Sequence, residues 1–216
     1  MGLGCSMSIV RATPQDLPGP ANDPDLMNLI ARCLAGDQGA YGTLYERHAP
    51  SLYRLAYSVL LVEQDAEDVL QEAMVYAFRN LHRYDPARGA FRTWLYTITI
   101  SRCRNARRRK WLPTVALAHL LSIGVEPPAP ADEGPEHRAA WAELRDSLRR
   151  ALATLSPRLR EAVALRYGQG LTYREMAAVM DCPQKTAESR VRLAHEQLRG
   201  AMSVADAAAL AELWQV

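Results

Sequence analysis

Three groups of side chains have types and spacings that suit charged or hydrogen-bonding partners. The first is cationic: Arg102, Arg104, Arg107, Arg108, Arg109 and Lys110 crowd one short stretch, and no acid occurs between Pro86 and Val125. Cations at that density repel one another unless an anion meets them, and nucleic-acid phosphate is the anion they suit. The second is anionic: Asp65, Asp68 and Glu72 stand at i, i+3 and i+7, on one face of a helix. Such a face suits a basic protein surface. It also suits a solvated helix start, where acids favour the dipole, or a divalent ion that assists phosphodiester hydrolysis, although no histidine joins the cluster. The third is the run Pro183 to Arg192, whose Gln184, Lys185, Thr186, Glu188, Ser189, Arg190 and Arg192 are side chains able to contact base edges and phosphates.

The elements that must position these groups are helical. Thr172 and Glu175 have capping-box spacing and start a helix at Tyr173. Asp181 tolerates a tight turn, and Pro183 suits the first position of the next helix. In that helix Ala187, Val191, Ala194 and Leu198 share one face and the polar residues fall largely on the other. Helix, tight turn and polar-faced helix make a helix-turn-helix with its second helix offered to a major groove. Upstream, apolar residues recur at helical spacing from Asp25, from Gln38 to Val62, from Gln64 to Leu81 and from Ala90 to Trp111. Pro50 is expected to kink or break the second of these. The aromatics Tyr84, Phe91, Trp94 and Tyr96 lie just before the cationic stretch. Some belong to a core, and others could stack an unpaired base. Ser156-Pro157 is expected to cap a further helix.

With 216 residues, two phenylalanines and no segment that alternates like a strand, the fold class is all-α, in two small helical lobes. The expected division is a leader at 1–24, a four-helix lobe at 25–111, a proline-containing flexible linker at 112–136, a helix-turn-helix lobe at 137–200 and a tail at 201–216. The second lobe is small enough for its core to be marginal, so packing against a partner would help it. Net charge is only +2, but acids and bases are sorted into patches, which points to two different partners. Cys5, Cys33, Cys103 and Cys182 are far apart in sequence and form no CxxC pair, so neither a zinc site nor a disulfide framework is expected. No apolar run reaches membrane-spanning length and no signal peptide is recognisable, so a cytoplasmic protein is expected. The start, Met1-Gly2-Leu3-Gly4-Cys5-Ser6, matches a myristoylation pattern and reads as a floppy leader.

These residues together resemble the extracytoplasmic-function sigma factors, the promoter-specificity subunits of bacterial RNA polymerase. The first lobe resembles domain 2 of that family through Asp65-Ala66-Glu67-Asp68-Val69-Leu70-Gln71-Glu72, Tyr84-Asp85-Pro86, Phe91-Arg92-Thr93-Trp94-Leu95-Tyr96-Thr97-Ile98 and Arg107-Arg108-Arg109. The second resembles domain 4 through Leu155-Ser156-Pro157, Arg160-Glu161, Leu165-Arg166-Tyr167, Gly170 to Glu175 and Pro183 to Arg192. The resemblance implies that Asp65, Glu67, Asp68, Val69, Gln71 and Glu72 dock on the clamp helices of the polymerase's largest subunit, and it names the polymerase's flap region as a further partner surface. It implies that His82, Tyr84, Arg88, Phe91, Ser101, Arg102, Asn105, Arg107, Arg108 and Arg109 hold the opened −10 strand. It also implies that Arg166, Gln184, Lys185, Thr186, Glu188, Ser189, Arg190 and Arg192 face −35 duplex. An anti-sigma protein is a further implied partner. Neither catalytic residue, metal nor cofactor is implied.

Four positions depart from the family pattern. Ser101 stands where Asn is usual, Asn105 where Asp is common, Lys185 where Gly is usual, and Glu188 where a base is usual. Glutamate repels phosphate but accepts from a cytosine amino group, so Glu188 is expected to alter −35 preference. The two promoter elements lie roughly 50 Å apart, about one and a half duplex turns. A linker of this length reaches roughly 80 Å when extended but averages about 27 Å as a coil, so the free protein is expected to be more compact than the bound one. The rival reading is a helix-turn-helix regulator that binds duplex DNA without polymerase. It leaves the acidic face and the arginine-rich first lobe without a role. A metal-dependent nuclease is a third, which magnesium-dependent cleavage of DNA would reveal.

Overall fold

The computed structural model describes residues 23–111 and 135–201, and the expected leader, most of the linker and most of the tail lie outside them. Helices α1 (Pro24–Leu34), α2 (Gln38–Leu60), α3 (Glu63–Arg79) and α4 (Phe91–Trp111) form the first lobe, with a short 3₁₀ turn at Leu81–Arg83. Helices α5 (Pro135–Thr154), α6 (Pro157–Val163), α7 (Tyr173–Met180) and α8 (Gln184–Ala201) form the second. The described residues contain no strand, in keeping with the all-α expectation.

Local chemistry sets most boundaries. Asp23 and Asp37 accept from backbone amides at the starts of α1 and α2, and each also holds an arginine, Arg47 and Arg32. Those arginines keep both carboxyls below the usual range. At α7 the Thr172–Glu175 capping box is complete, and Asp181 ends the helix in the left-handed region at φ 53°. Ser156 precedes Pro157 as expected, yet its side chain makes no capping bond.

Pro50 does not break α2, which is continuous from Gln38 to Leu60. Both Pro50 and Glu46, the residue whose carbonyl loses its helical donor, are exposed, so water can satisfy the freed oxygen.

The larger of two buried clusters runs through both lobes. Leu44, Leu52, Leu55, Val59, Phe91, Leu95 and Ile100 of the first lobe belong to the same buried cluster as Ala162, Leu165, Leu171, Met176 and Val179 of the second. Helix α7 packs on α4, and α6 with the turn that follows it packs on α2. The second lobe alone supplies only a small cluster around Ala151, Leu155, Leu159, Val163, Ala194 and Leu198. In this arrangement the partner that completes the marginal core is the first lobe itself.

Candidate nucleic-acid and protein-binding surfaces

Helix α3 presents the acidic face. Ala66, Val69, Leu70, Ala73, Met74 and Ala77 are buried and fix its rotation, which leaves Asp68 and Gln71 exposed and Asp65, Glu67 and Glu72 partly so. Val69 is 1% exposed. It anchors the face from beneath and is not a contact residue in its own right. Glu72 takes both Nη atoms of Arg109 at 3.0 and 3.2 Å, so the acidic and basic surfaces meet along α3 and α4.

The loop before α4 is built on its own aromatics. Phe91 is 1% exposed and makes edge contacts with Tyr84 and His48, with Trp94 tilted beside it. No face of Phe91 is open to a base, which corrects its assignment as a direct −10 contact. It supports Tyr84, which is only partly buried and whose hydroxyl donates to the Gly89 carbonyl at 3.1 Å, closing the loop. Asp85 accepts from the Ala87 amide at 2.9 Å, while His82 and Arg88 stand exposed on either side. Along α4, Ser101 is exposed, the Arg102 guanidinium lies 4.6 Å from the Tyr76 ring, and Arg108 bonds to Asn105. Arg107 is partly exposed. Tyr96 and Cys103 face inward, and burial pushes the Cys103 thiol up to about 12.

In the second lobe, α8 buries Ala187, Val191, Ala194 and Leu198. That burial turns Gln184, Lys185 and Arg192 outward, with Thr186, Glu188, Ser189 and Arg190 at the margin. The Gln184 amide donates to Glu188 at 3.0 Å, which holds the carboxylate over the outer face of the helix with lone pairs to spare. Ser189 donates to the Lys185 carbonyl, Arg192 pairs with Glu196 at 2.7 Å, and Arg190 reaches back to the Cys182 sulfur. Arg166 sits in a wider π turn, Ala164–Gly168, that continues α6. The turn aims its guanidinium at the Leu171 carbonyl, 2.9 Å away, and over the Tyr173 ring. Arg166 therefore braces the entry to α7 here, and a −35 contact would require it to swing out.

Among the described residues, four polar pairs join the lobes. Arg104 binds both oxygens of Glu161, with Nη2 at 2.6 Å and Nε at 3.2 Å, and its Nη2 also donates to the Met180 carbonyl at 3.3 Å. Glu161 is 1% exposed, and its bond raises the Arg104 pKa above the usual range. Arg92 donates to Glu175 at 3.2 Å, and Gln169 reaches the Ser51 carbonyl at 3.4 Å. Burial pushes the Glu175 carboxyl up, but the Thr172 amide and hydroxyl together with Arg92 hold it below the usual range. Among the described residues no group of His, Cys, Asp and Glu is arranged to hold a metal ion.

Family models place these surfaces in context. The sigma-70 region 2 model matches residues 44–112, and the sigma-70 region 4 model matches 145–198. The chain is similar to an ECF RNA polymerase sigma-E factor of Escherichia coli K12, 35% identical over 177 residues that span 79% of this chain and 90% of that one. The chain belongs to the extracytoplasmic-function sigma factors. It is also 34% identical, over 167 residues, to the ECF sigma factor SigE of Mycolicibacterium smegmatis, spanning 76% of this chain and 63% of that relative's length. Among solved structures it resembles CnrH in complex with the cytosolic domain of CnrY, with a TM-score of 0.57, 28% identity, and coverage of 82% of this chain and 96% of that one. The same TM-score, at 23% identity over 74% of this chain and 95% of the other, relates its fold to RpoE of Bartonella quintana.

For a sigma factor, what sequence reasoning passed over is the pairing of Arg92 with Glu175 and of Arg104 with Glu161. Arg104 and Glu161 are 57 positions apart, and Arg92 and Glu175 are 83 apart, so no local spacing announces either pair. The sequence signal was limited to Glu161 itself, an acid embedded among Leu159, Ala162, Val163 and Leu165.

Proposed function

We propose that this sigma factor binds core RNA polymerase through the acidic face of α3, reads −35 duplex with α8, and holds the opened −10 strand along the 82–89 loop and the outer side of α4. It acts in the cytoplasm, without bond chemistry of its own. Strand opening draws its free energy from the binding of unpaired bases and phosphates, and the polymerase carries out catalysis. An anti-sigma protein that covers these faces is the expected regulator. Among the described residues no helix is long and apolar enough to cross a membrane.

The observation that carries this reading is the joint presence, in a chain of this family, of an acidic face and a separate phosphate-suited helix beside the helix-turn-helix. A regulator that needed only duplex DNA would have no use for the first two. The Tyr84 loop suits strand capture because its ring is held by Phe91 and Trp94 yet remains partly exposed. Glu188 suits an amino-bearing base such as cytosine, since its carboxylate is already oriented by Gln184.

The test is charge reversal on α3. Asp68→Lys with Glu72→Lys is expected to weaken capture by core polymerase at least tenfold and to flatten its salt dependence, with −35 duplex binding unchanged. Undiminished polymerase binding would refute this assignment of the docking face.

A further inference from the structure

Helix α6 carries two adjacent charges with opposite fates. Glu161 is fully engaged, since Arg104 takes both of its oxygens. Arg160 is not. It is partly buried, its Nε is shut off from solvent, and that nitrogen has no hydrogen-bond partner. Among the described residues no carboxylate lies within ion-pair distance of its guanidinium. What faces it is another cation. The Arg104–Glu161 bond sets α6 against α4, and Arg107 stands one turn beyond Arg104 on α4. Arg104, Arg107 and Glu161 all act on the same buried thiol, that of Cys103. Burial, and after it the Arg107 charge, hold the Arg160 guanidinium below the usual arginine range. Arg107 likewise pairs with no acid among the described residues. Asp181, the other acid at this corner, acts on Arg104.

We propose that Arg107 and Arg160 form a binding site for a small multivalent phosphate, of the pyrophosphate or phosphate-ester class, where α4 meets α6. The site goes beyond the surfaces assigned to polymerase and promoter. Arg107 is shared with the surface read as holding the −10 strand. Arg160 is not, so the two sources of phosphate can be told apart.

The chemistry selects the ligand. A partly desolvated cation without a counter-ion is costly, and a like charge beside it adds to the cost. An anion that meets both guanidinium groups removes both penalties at once. Each guanidinium offers N–H donors in a fixed planar fork, which phosphate oxygens match in pairs. Two forks from different helices can take oxygens on two sides of one compact group. A lone carboxylate has one pair of oxygens and a single charge, enough for one arginine only, as Glu161 shows with Arg104. A nucleic-acid strand fits less well, because its phosphates are singly charged and spaced along a chain. Arg160 also lies on α6, away from the outer side of α4 that suits such a strand.

The test titrates sodium pyrophosphate into the full-length chain near neutral pH, against sodium chloride of matched ionic strength. Once pyrophosphate exceeds its dissociation constant about fivefold, the melting temperature should rise by about 2–4 °C. Arg160→Gln and Arg107→Gln should each abolish that rise and weaken pyrophosphate binding about tenfold or more by titration calorimetry. Arg158→Gln removes the same charge from an exposed position on α6 and should keep the parent response. Without pyrophosphate, Arg107→Gln should melt no lower than the parent, because it relieves repulsion. A 20-nucleotide oligo-dT separates the sources of phosphate: its affinity should fall in Arg107→Gln and stay at the parent value in Arg160→Gln. If Arg160→Gln loses helicity by circular dichroism, Arg107→Gln, at a partly exposed position, decides the matter. A pyrophosphate response that survives in a folded Arg107→Gln overturns the site, as does a parent that responds no more than to salt. Oligo-dT affinity that depends on Arg160 as strongly as on Arg107 gives the phosphate to a strand and overturns it too. Core polymerase capture is read separately, so a failure of the functional reading leaves the anion site standing, and the reverse holds.

Discussion

Removing the Glu175 side chain should cost this protein about twice as much as removing Thr172, although both belong to the same capping box. Thr172→Ala deletes one acceptor for the Glu175 amide, a 3.3 Å bond, and the hydroxyl donated to Oε2. Loss of an N-cap of this kind destabilises by about 1 kcal/mol. Glu175→Ala deletes the acceptor for the Thr172 amide at 2.8 Å, worth a similar amount, and also the 3.2 Å pair with Arg92. Arg92 and Glu175 are 23% and 27% exposed, so their pair lies between the surface and buried limits and adds about 1 kcal/mol. The expected costs are therefore about 1 and about 2 kcal/mol. Because the Thr172–Glu175 bonds are shared, the double variant should fall short of the sum by roughly 0.5–1 kcal/mol. Urea unfolding followed by far-UV circular dichroism measures all three, with an unchanged m-value as the check that the midpoint reports stability. Equal single costs with strict additivity would refute the claim that one carboxylate serves both the cap and the neighbouring lobe.

Other outcomes follow from named groups. Glu188→Lys should change the −35 bases recovered from a randomised promoter pool, most plainly where a cytosine or adenine amino group is lost, and an unchanged consensus would contradict the role given to Glu188. His48 is held down to about 4, first by burial and then by Arg47, so it is neutral in the fold and charges more readily when unfolded. Its contribution is fully present above pH 6.5 and is lost as pH falls from 6.5 towards 4, up to about 3 kcal/mol over that window. His48→Leu should flatten the stability profile there, and a profile that keeps its slope would exclude His48 as the source. Cys103, buried with its thiol pushed up to about 12, should resist alkylation at pH 8 until the chain is unfolded. Modification in the native protein at the rate of a free thiol would show that α4 is not packed as described.

Much of the fold was legible because its signals are local. Thr172, Glu175, Asp181 and Pro183 lie within a dozen residues and specify both helices of the helix-turn-helix with the turn between them. The stripes of α3 and α8 are likewise written at helical spacing. Pro50 left a kink and a break both open, and the sequence window could not decide against the break because that depends on whether the orphaned carbonyl can reach water, a property of the surface. Phe91 and Val69 misled for a related reason: a family motif marks a residue as necessary without saying whether it touches the partner or supports one that does. The joint between the lobes was the least legible feature. Its pairs bridge distant segments, and it turns acids of the second lobe into counter-ions for a helix that looks unneutralised on paper.

The central claim is that an acidic helix recruits the transcribing enzyme while two other surfaces grip its template. Incubation of the purified chain with core RNA polymerase, followed by transcription from a promoter pool, tests it most directly. The account predicts a stable complex and initiation from a selected set of promoters, both lost in Asp68→Lys with Glu72→Lys. Tight binding to duplex DNA with no association with the polymerase would contradict it.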